Sequence, residues 1–124
     1  MKERIKEIII ELLTQRNDKV SFAEIERILE QKGIRYQGDY SIHMPSNKNV
    51  KLWVGMSENF CKAVVELIFK DCTIIPRNVP STLYIFDGKI PDYPVAENLH
   101  HMYETERWFP PIAFSLGNLY EEGN

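Results

Sequence analysis

The chain has 124 residues, of which 44% are hydrophobic and 27% are charged, and its formal net charge is −3 at pH 7. This length and composition predict one folded domain over residues 1–124 and exclude an intrinsically disordered chain. The apolar runs are shorter than the roughly 18 residues of a membrane span, and the first residues mix both charge signs. A cytoplasmic protein without membrane contact is therefore expected.

The distribution of charge and the spacing of Cys and His residues indicate which ligands the chain could bind. Residues 95–124 carry one basic side chain against five acidic ones, and the isoelectric point is near 5.6. Strong non-specific DNA binding usually requires a basic face, so DNA binding is allowed but weakly indicated. Cys61, Cys72, His100 and His101 lack the spacing of a zinc site, and we expect two buried free thiols, no metal and no cofactor.

Two amphipathic helices are predicted at the start of the chain. Apolar residues recur at helical spacing in residues 2–16, which predicts the first helix. Ser21 and Glu24 form a capping-box pattern that starts the second helix, and Gly33 is typical of a helix end, so this helix is expected to end near Lys32.

The middle of the chain predicts a β-hairpin followed by a third helix. Tyr40, Ile42 and Met44 alternate with polar residues, as do residues 50–54, and turn-forming residues 45–49 separate the two runs. Ser57 then has the position of an N-cap, and Glu58 lies in the first turn of the third helix, where a negative charge suits the helix dipole.

A second hairpin and a C-terminal extension complete the predicted elements. Residues 72–75 and 81–86 are β-rich and are separated by a loop that contains two prolines. Residues 95–104 are expected to form a short helix, and residues 108–111 an extended segment. Residues 107–114 are too apolar to remain exposed, so they must pack on the chain's own hairpin or on a second copy.

Over residues 1–88 the chain resembles the winged helix-turn-helix superfamily. The resemblance lies in the order of the elements: two helices, a third helix capped by residues 55–57, and a two-stranded wing that ends at Gly88. The resemblance implies an α+β fold: a winged-helix-like core of three helices with two β-hairpins, and an acidic, aromatic extension at residues 89–124 that packs on it. About twenty residues of β-period separate the second and third helices, where that superfamily has a short turn. An ordinary α+β domain fits the same order of elements.

The resemblance also implies a nucleic-acid surface. The third helix would enter a DNA groove, with Asn59 and Lys62 near bases and Arg77 of the wing near phosphate. Glu58 and Glu66 on the same helix face oppose phosphate, so an ordinary solvated face, or a protein-docking face that includes Phe69, is the alternative.

A second basic strip is predicted on the first hairpin, where cations alternate with aromatic residues. Bases could stack on Tyr36 or Trp53 there, and the cations are Arg35, Lys48 and Lys51. The alternative is that these lysines only solubilise a turn and an edge strand.

No sequence motif indicates catalysis or a small-molecule ligand, so a non-enzymatic binding domain is expected. DNA or a DNA-bound protein is the first predicted partner. The alternative is a protein-docking or homodimerising module without nucleic acid, in which Phe69, Trp108 and Phe109 contribute to the interface.

Overall fold

The computed structural model describes residues 1–16, 19–80, 84 and 94–117. These residues form a mixed α+β structure with three helices and two small sheets, which confirms the predicted class. No helix within these ranges is long and apolar enough to cross a lipid bilayer. In chain order the elements are α1 (Lys2–Arg16), β1 (Val20–Ser21), α2 (Phe22–Gln31), β2 (Gln37–Met44), β3 (Asn47–Met56), α3 (Glu58–Val65) with a π-helical turn (Glu66–Lys70), β4 (Ile74–Asn78), β5 (Arg107–Trp108) and β6 (Ile112–Leu116).

Each sheet has three strands, and the end of the described chain contributes one strand to each. In the first sheet, β6 lies between β1 and β4 and is antiparallel to both. In the second sheet, β3 lies between β2 and β5, antiparallel to β2 and parallel to β5. Because β5 and β6 are separated by only three residues, they connect the two sheets covalently.

The helices begin where the sequence predicts them. The Ser21 hydroxyl accepts a hydrogen bond from the Glu24 amide at 3.1 Å, and the Ser57 hydroxyl accepts one from the Phe60 amide at 3.2 Å. Each serine thus satisfies a backbone donor that the first helical turn cannot. Gly33 follows α2 with a φ of 70°, the left-handed conformation that glycine adopts without steric cost.

Aromatic side chains fill the space between the helices and the sheets. Phe22 and Trp53 stack with ring centroids 5.0 Å apart, and the Trp53 indole N–H donates to the buried Glu26 carboxylate at 2.9 Å. Tyr84 contacts both Trp53 and Trp108, and its hydroxyl donates to the Ile112 carbonyl. Residues from α2, β3 and the C-terminal strands therefore share one core.

An ion cluster joins the first helix to the π-helical turn. The Lys6 ammonium lies 3.2 Å from the Glu66 carboxylate and 2.7 Å from that of Asp71, and Lys2 also pairs with Glu66. The Lys6 side chain is only 13% exposed, so it lies against the protein surface between α1 and the π-helical turn and does not extend into solvent.

The C-terminal part of the chain differs from the prediction. Residues 95–104 form turns instead of a helix, and two of their backbone carbonyls accept hydrogen bonds from the β2–β3 hairpin. The side-chain amide of Asn47 donates to the His101 carbonyl at 2.6 Å, and the side-chain amide of Asn49 donates to the Tyr103 carbonyl at 2.7 Å. The resulting loop, residues 94–106, is hereafter called the C-terminal loop.

The predicted second hairpin is described only in part. Strand β4 pairs with β6, which comes from much later in the chain than the expected partner at residues 81–86. Apart from Tyr84, that predicted partner lies outside the described residues. Nothing in the described ranges identifies a winged helix specifically.

Candidate functional site

The residues predicted to form a nucleic-acid surface do not form one patch. Arg35 and Tyr36 precede β2, whereas Lys48 lies at the opposite end of the hairpin, beyond the eight residues of that strand. At about 3.3 Å per residue, the two ends are roughly 20–25 Å apart. Lys51 lies between them and is half-buried, paired in register with His43.

The stacking platforms proposed for this strip are largely covered. Trp53 is 4% exposed and stacks on Phe22, so its ring is a core ring. Tyr36 is half-buried against the same core.

The two predicted positions on α3 have different environments. Asn59 is exposed in the first turn. Lys62 is exposed, and its ammonium lies 2.7 Å from the Glu58 carboxylate. This pairing raises the pKa of Lys62 and lowers the pKa of Glu58. Tyr40 also hydrogen-bonds to the Glu58 carboxylate. The Glu58 carboxylate beside this cation opposes the approach of a phosphate.

The remaining predicted positions are dispersed. Arg77 is exposed on β4 in the first sheet, where it lies opposite Ala113 of β6. Trp108 is 3% exposed and packs near Trp53 and Tyr84, and Phe109 is half-buried against the core, so both contribute mainly to packing within the chain. Phe69, on the π-helical turn, is 49% exposed.

Three of the predicted residues, Arg35, Tyr36 and Asn59, do come together at a surface cleft, hereafter the β2 cleft. The cleft lies where the loop after α2, the start of β2 and the start of α3 meet. It has two adjoining parts of about 540 and about 460 Å³. The lining residues are Met1, Glu30, residues 33–40 and residues 57–59.

The frame of the cleft is fixed by backbone contacts. The Ser57 amide donates to the Tyr36 carbonyl at 2.8 Å, and the Ser57 hydroxyl donates to the Arg35 carbonyl at 3.3 Å. Gly38 lies so close to the β3–α3 junction that a Cβ there would be 2.7 Å from the Met56 carbonyl oxygen. These contacts hold the start of β2 against the start of α3.

The open side of the cleft combines apolar groups with charge. Tyr40 is 46% exposed and Met1 is 66% exposed. The described lining residues carry three carboxylates, on Glu30, Asp39 and Glu58, and two cationic groups, the Met1 α-ammonium and the Arg35 guanidinium, whose Nε donates to the Gln37 carbonyl at 3.1 Å. Because Glu58 is also paired with Lys62, the cleft combines an exposed Tyr40 ring with mixed charge.

Tyr40, Glu30 and Asp39 were missed as site residues by the sequence analysis. The alternation of Tyr40, Ile42 and Met44 predicted that all three share one face of the hairpin, yet Ile42 is buried and Tyr40 is exposed. The β2–β3 register shifts between these positions, which turns Tyr40 outward. A glycine and an aspartate at positions 38–39 of a predicted strand were the available signal for such a bulge.

The potentially reactive groups within the described ranges do not form a catalytic arrangement with the cleft. Burial raises the pKa of the Cys61 thiol, which donates to the Ser41 carbonyl at 3.6 Å and so packs α3 on β2. Cys72 is also a free thiol, but it is exposed, contrary to the expectation that both are buried. Among residues 1–16, 19–80, 84 and 94–117, no group of three or more His, Cys, Asp or Glu side chains is placed to hold a metal ion.

Comparison of the chain with protein-family models, with curated proteins and with solved structures found no match. A function for the chain is therefore inferred from the geometry of the β2 cleft.

Proposed function

We propose that the chain is a non-enzymatic docking domain that binds a segment of another protein in the β2 cleft. The observation that carries this proposal is the outward-facing Tyr40 ring beside a cleft whose walls are fixed by backbone hydrogen bonds. A large aromatic side chain on a rigid frame contributes contact area with little loss of conformational entropy on binding.

The size and openness of the cleft suit a peptide segment. Each of its two parts falls within the roughly 300–1,000 Å³ of typical ligand pockets, and the two parts share residues 33–35 and 38. The exposed polar side chains of Gln37, Asp39, Glu58 and Asn59 supply hydrogen-bonding groups along it. A segment several residues long would cover Tyr40 and reach these polar groups.

The geometry gives DNA binding less support. The predicted cations lie at both ends of the hairpin and on a separate sheet, and Lys62 is paired with Glu58. Glu58, beside Lys62 at the start of α3, would repel phosphate. The implied groove-reading helix therefore presents no continuous basic surface within the described residues.

The test is selection of binding peptides from a phage-displayed random library on the immobilised protein. Enriched peptides should bind the Tyr40→Ala variant at least about tenfold more weakly, as expected when a central aromatic anchor is lost. The Phe69→Ala variant is the matched control, because Phe69 is equally exposed but lies on the π-helical turn. It should bind the same peptides with unchanged affinity.

Two results would contradict the proposal. One is a library that yields no peptide whose binding depends on Tyr40, provided both variants melt as the parent protein does. The other is binding of random-sequence duplex DNA that weakens steeply between about 50 and about 200 mM salt, which would return the DNA hypothesis to first place.

A further inference from the structure

We propose that the C-terminal loop is a strap that closes the outer edge of β5 and opens while the rest of the fold stays intact. In the closed state, residues 94–96 of the loop lie along β5 as a further strand would. In the open state, the backbone N–H and C=O of Trp108 face solvent and can pair with an extended chain. The inference is independent of the β2 cleft, because Asn47 and Asn49 bind the loop near the turn of the β2–β3 hairpin, away from the start of β2.

Two backbone hydrogen bonds attach the loop to β5. The Ala96 amide donates to the Trp108 carbonyl at 2.8 Å, and the Trp108 amide donates to the Pro94 carbonyl at 2.9 Å. Val95, between them, forms a parallel bridge with Trp108. Both backbone polar groups of Trp108 therefore point to the loop and away from β3.

The loop buries little apolar surface. Ala96 is 3% exposed, Leu99 and Tyr103 are half-buried, and the other side chains of residues 94–106 are exposed. Segments with few buried apolar contacts open at a lower free energy than core strands and helices do. The loop is therefore expected to open before the core unfolds.

Two buried polar atoms at the contact between the loop and its neighbours lack a hydrogen-bond partner among the described residues. They are Oδ1 of Asn47, whose side-chain amide binds the His101 carbonyl, and Nε of Arg107, whose guanidinium lies over the Tyr103 ring. A buried polar atom without a partner raises the free energy of the state that contains it. Opening the loop gives both atoms access to water, which offsets part of the cost of breaking the hydrogen bonds of the loop.

Strand β5 has attachments of its own that do not involve the loop. The Phe109 amide, immediately after β5, donates to the Lys51 carbonyl of β3 at 2.7 Å. Trp108 is 3% exposed, and its ring packs near Trp53 and Tyr84. Strand β5 therefore stays in the second sheet when the loop opens. The amides of Trp108 and Phe109, which are adjacent in sequence, consequently report two different events.

The test is amide hydrogen exchange of the folded protein, followed by NMR at several low concentrations of urea. Relative to their intrinsic rates, the amides of Ala96 and Trp108 should exchange at least about a hundredfold faster than the Phe109 amide. Their exchange should depend little on urea, because loop opening exposes little surface. Exchange of the Phe109 amide should show the urea dependence of global unfolding.

A core substitution separates loop opening from global unfolding. Ile9→Val removes a buried methylene group from α1, which packs on α3 and β6. It should speed exchange of the Phe109 amide by about two- to tenfold, as expected for this truncation of a core side chain. Exchange of the Ala96 and Trp108 amides should stay unchanged, because the open state keeps the core.

Asn49→Ala is the matched substitution at the loop. It removes the hydrogen bond to the Tyr103 carbonyl, which both the open state and the unfolded state lack. Exchange of the Ala96, Trp108 and Phe109 amides should therefore accelerate by one common factor.

Two results would overturn the inference. One is equal protection of the Trp108 and Phe109 amides with the same urea dependence in the parent protein, because the loop would then open only when the whole fold does. The other is equal acceleration of the Ala96, Trp108 and Phe109 amides by Ile9→Val, because the state that exposes the edge of β5 would then lack the core.

Discussion

Glu66 shows how a single side chain is adapted to its neighbours. Hydrogen bonds from Lys2 and, to a smaller extent, Lys6 lower the pKa of Glu66 from 4.5 to about 2. Its charged form is therefore more favourable in the folded chain than in the unfolded chain, where no fixed ammonium lies beside it. Glu66 links α1 to the π-helical turn through this charge.

The shift gives a pH-dependent prediction. Because the pKa of Glu66 is lower in the folded state, the ion cluster stabilises the fold fully above about pH 4.5, and this contribution is lost as the pH falls towards about 2. The free energy of unfolding of Glu66→Gln should be below that of the parent protein at neutral pH. The two values should converge near pH 2, as measured by urea unfolding across the pH range.

Glu7→Gln provides the comparison for this experiment. Glu7 is 71% exposed in its side chain and lies 3.8 Å from Arg4, so solvent screens the pair and the substitution should change stability little. A difference between Glu66→Gln and the parent that stays constant from neutral to acidic pH would show that Glu66 contributes through packing and not through its charge.

At the scale of secondary-structure elements, the C-terminal loop depends on two asparagines from a distant hairpin. Asn47 is 2% exposed, and its amide donates to the His101 carbonyl. Asn49 is half-buried and donates to the Tyr103 carbonyl, while the Tyr103 hydroxyl accepts from the amides of Glu97 and Asn98. These bonds give the loop a defined shape without a helix or a strand.

Replacing the buried donor should therefore release the loop. Asn47→Asp puts a carboxylate, which cannot donate, against a carbonyl oxygen in a buried position, and we expect a loss of more than about 2 kcal/mol in the free energy of unfolding. Tryptophan fluorescence during urea unfolding measures this, because Trp53 and Trp108 are both buried.

The same substitution at Asn49 tests the role of burial. Asn49→Asp removes an equivalent donor at a site that water can reach, so its cost should be clearly smaller. Equal costs for the two variants would mean that burial does not set the strength of the Asn47 contact.

Local sequence signals predicted the elements that depend on local interactions. The first helix was predicted at residues 2–16 and is Lys2–Arg16, and the two serine N-caps were predicted correctly. The helix expected at residues 95–104 is absent because Asn47 and Asn49, about fifty positions earlier, bind its carbonyls. Helical periodicity carries no information about a contact of that kind.

At the scale of the whole molecule, the pairing of strands that are distant in sequence could not be predicted, because periodicity carries no information about such contacts. Strand β6 lies between β1 and β4, although residues 20, 74 and 112 are widely separated in sequence. The candidate site was predicted in part: Arg35, Tyr36 and Asn59 meet at the β2 cleft, whereas Tyr40 required knowledge of the bulge in β2.

Truncation after residue 104 tests the importance of these late strands. The deletion removes β5 and β6, which takes the central strand from one sheet and exposes Val20, Ile74 and their neighbours. We expect the shortened protein to aggregate or to lose its cooperative thermal transition, as shown by light scattering and circular dichroism. A truncated protein that stays monomeric and melts cooperatively would contradict this prediction.

The position of β6 also has a consequence for synthesis on the ribosome. Val20 and Ser21 leave the ribosome early, but their strand partners, Phe114 and Ala113, are added only after most of the described chain has been translated. During that interval the apolar faces of α1 and α2 cannot be covered by β6, and α1 packs directly against this strand in the finished fold. The nascent chain should therefore bind chaperones until Leu116 has emerged, and become independent of them soon afterwards.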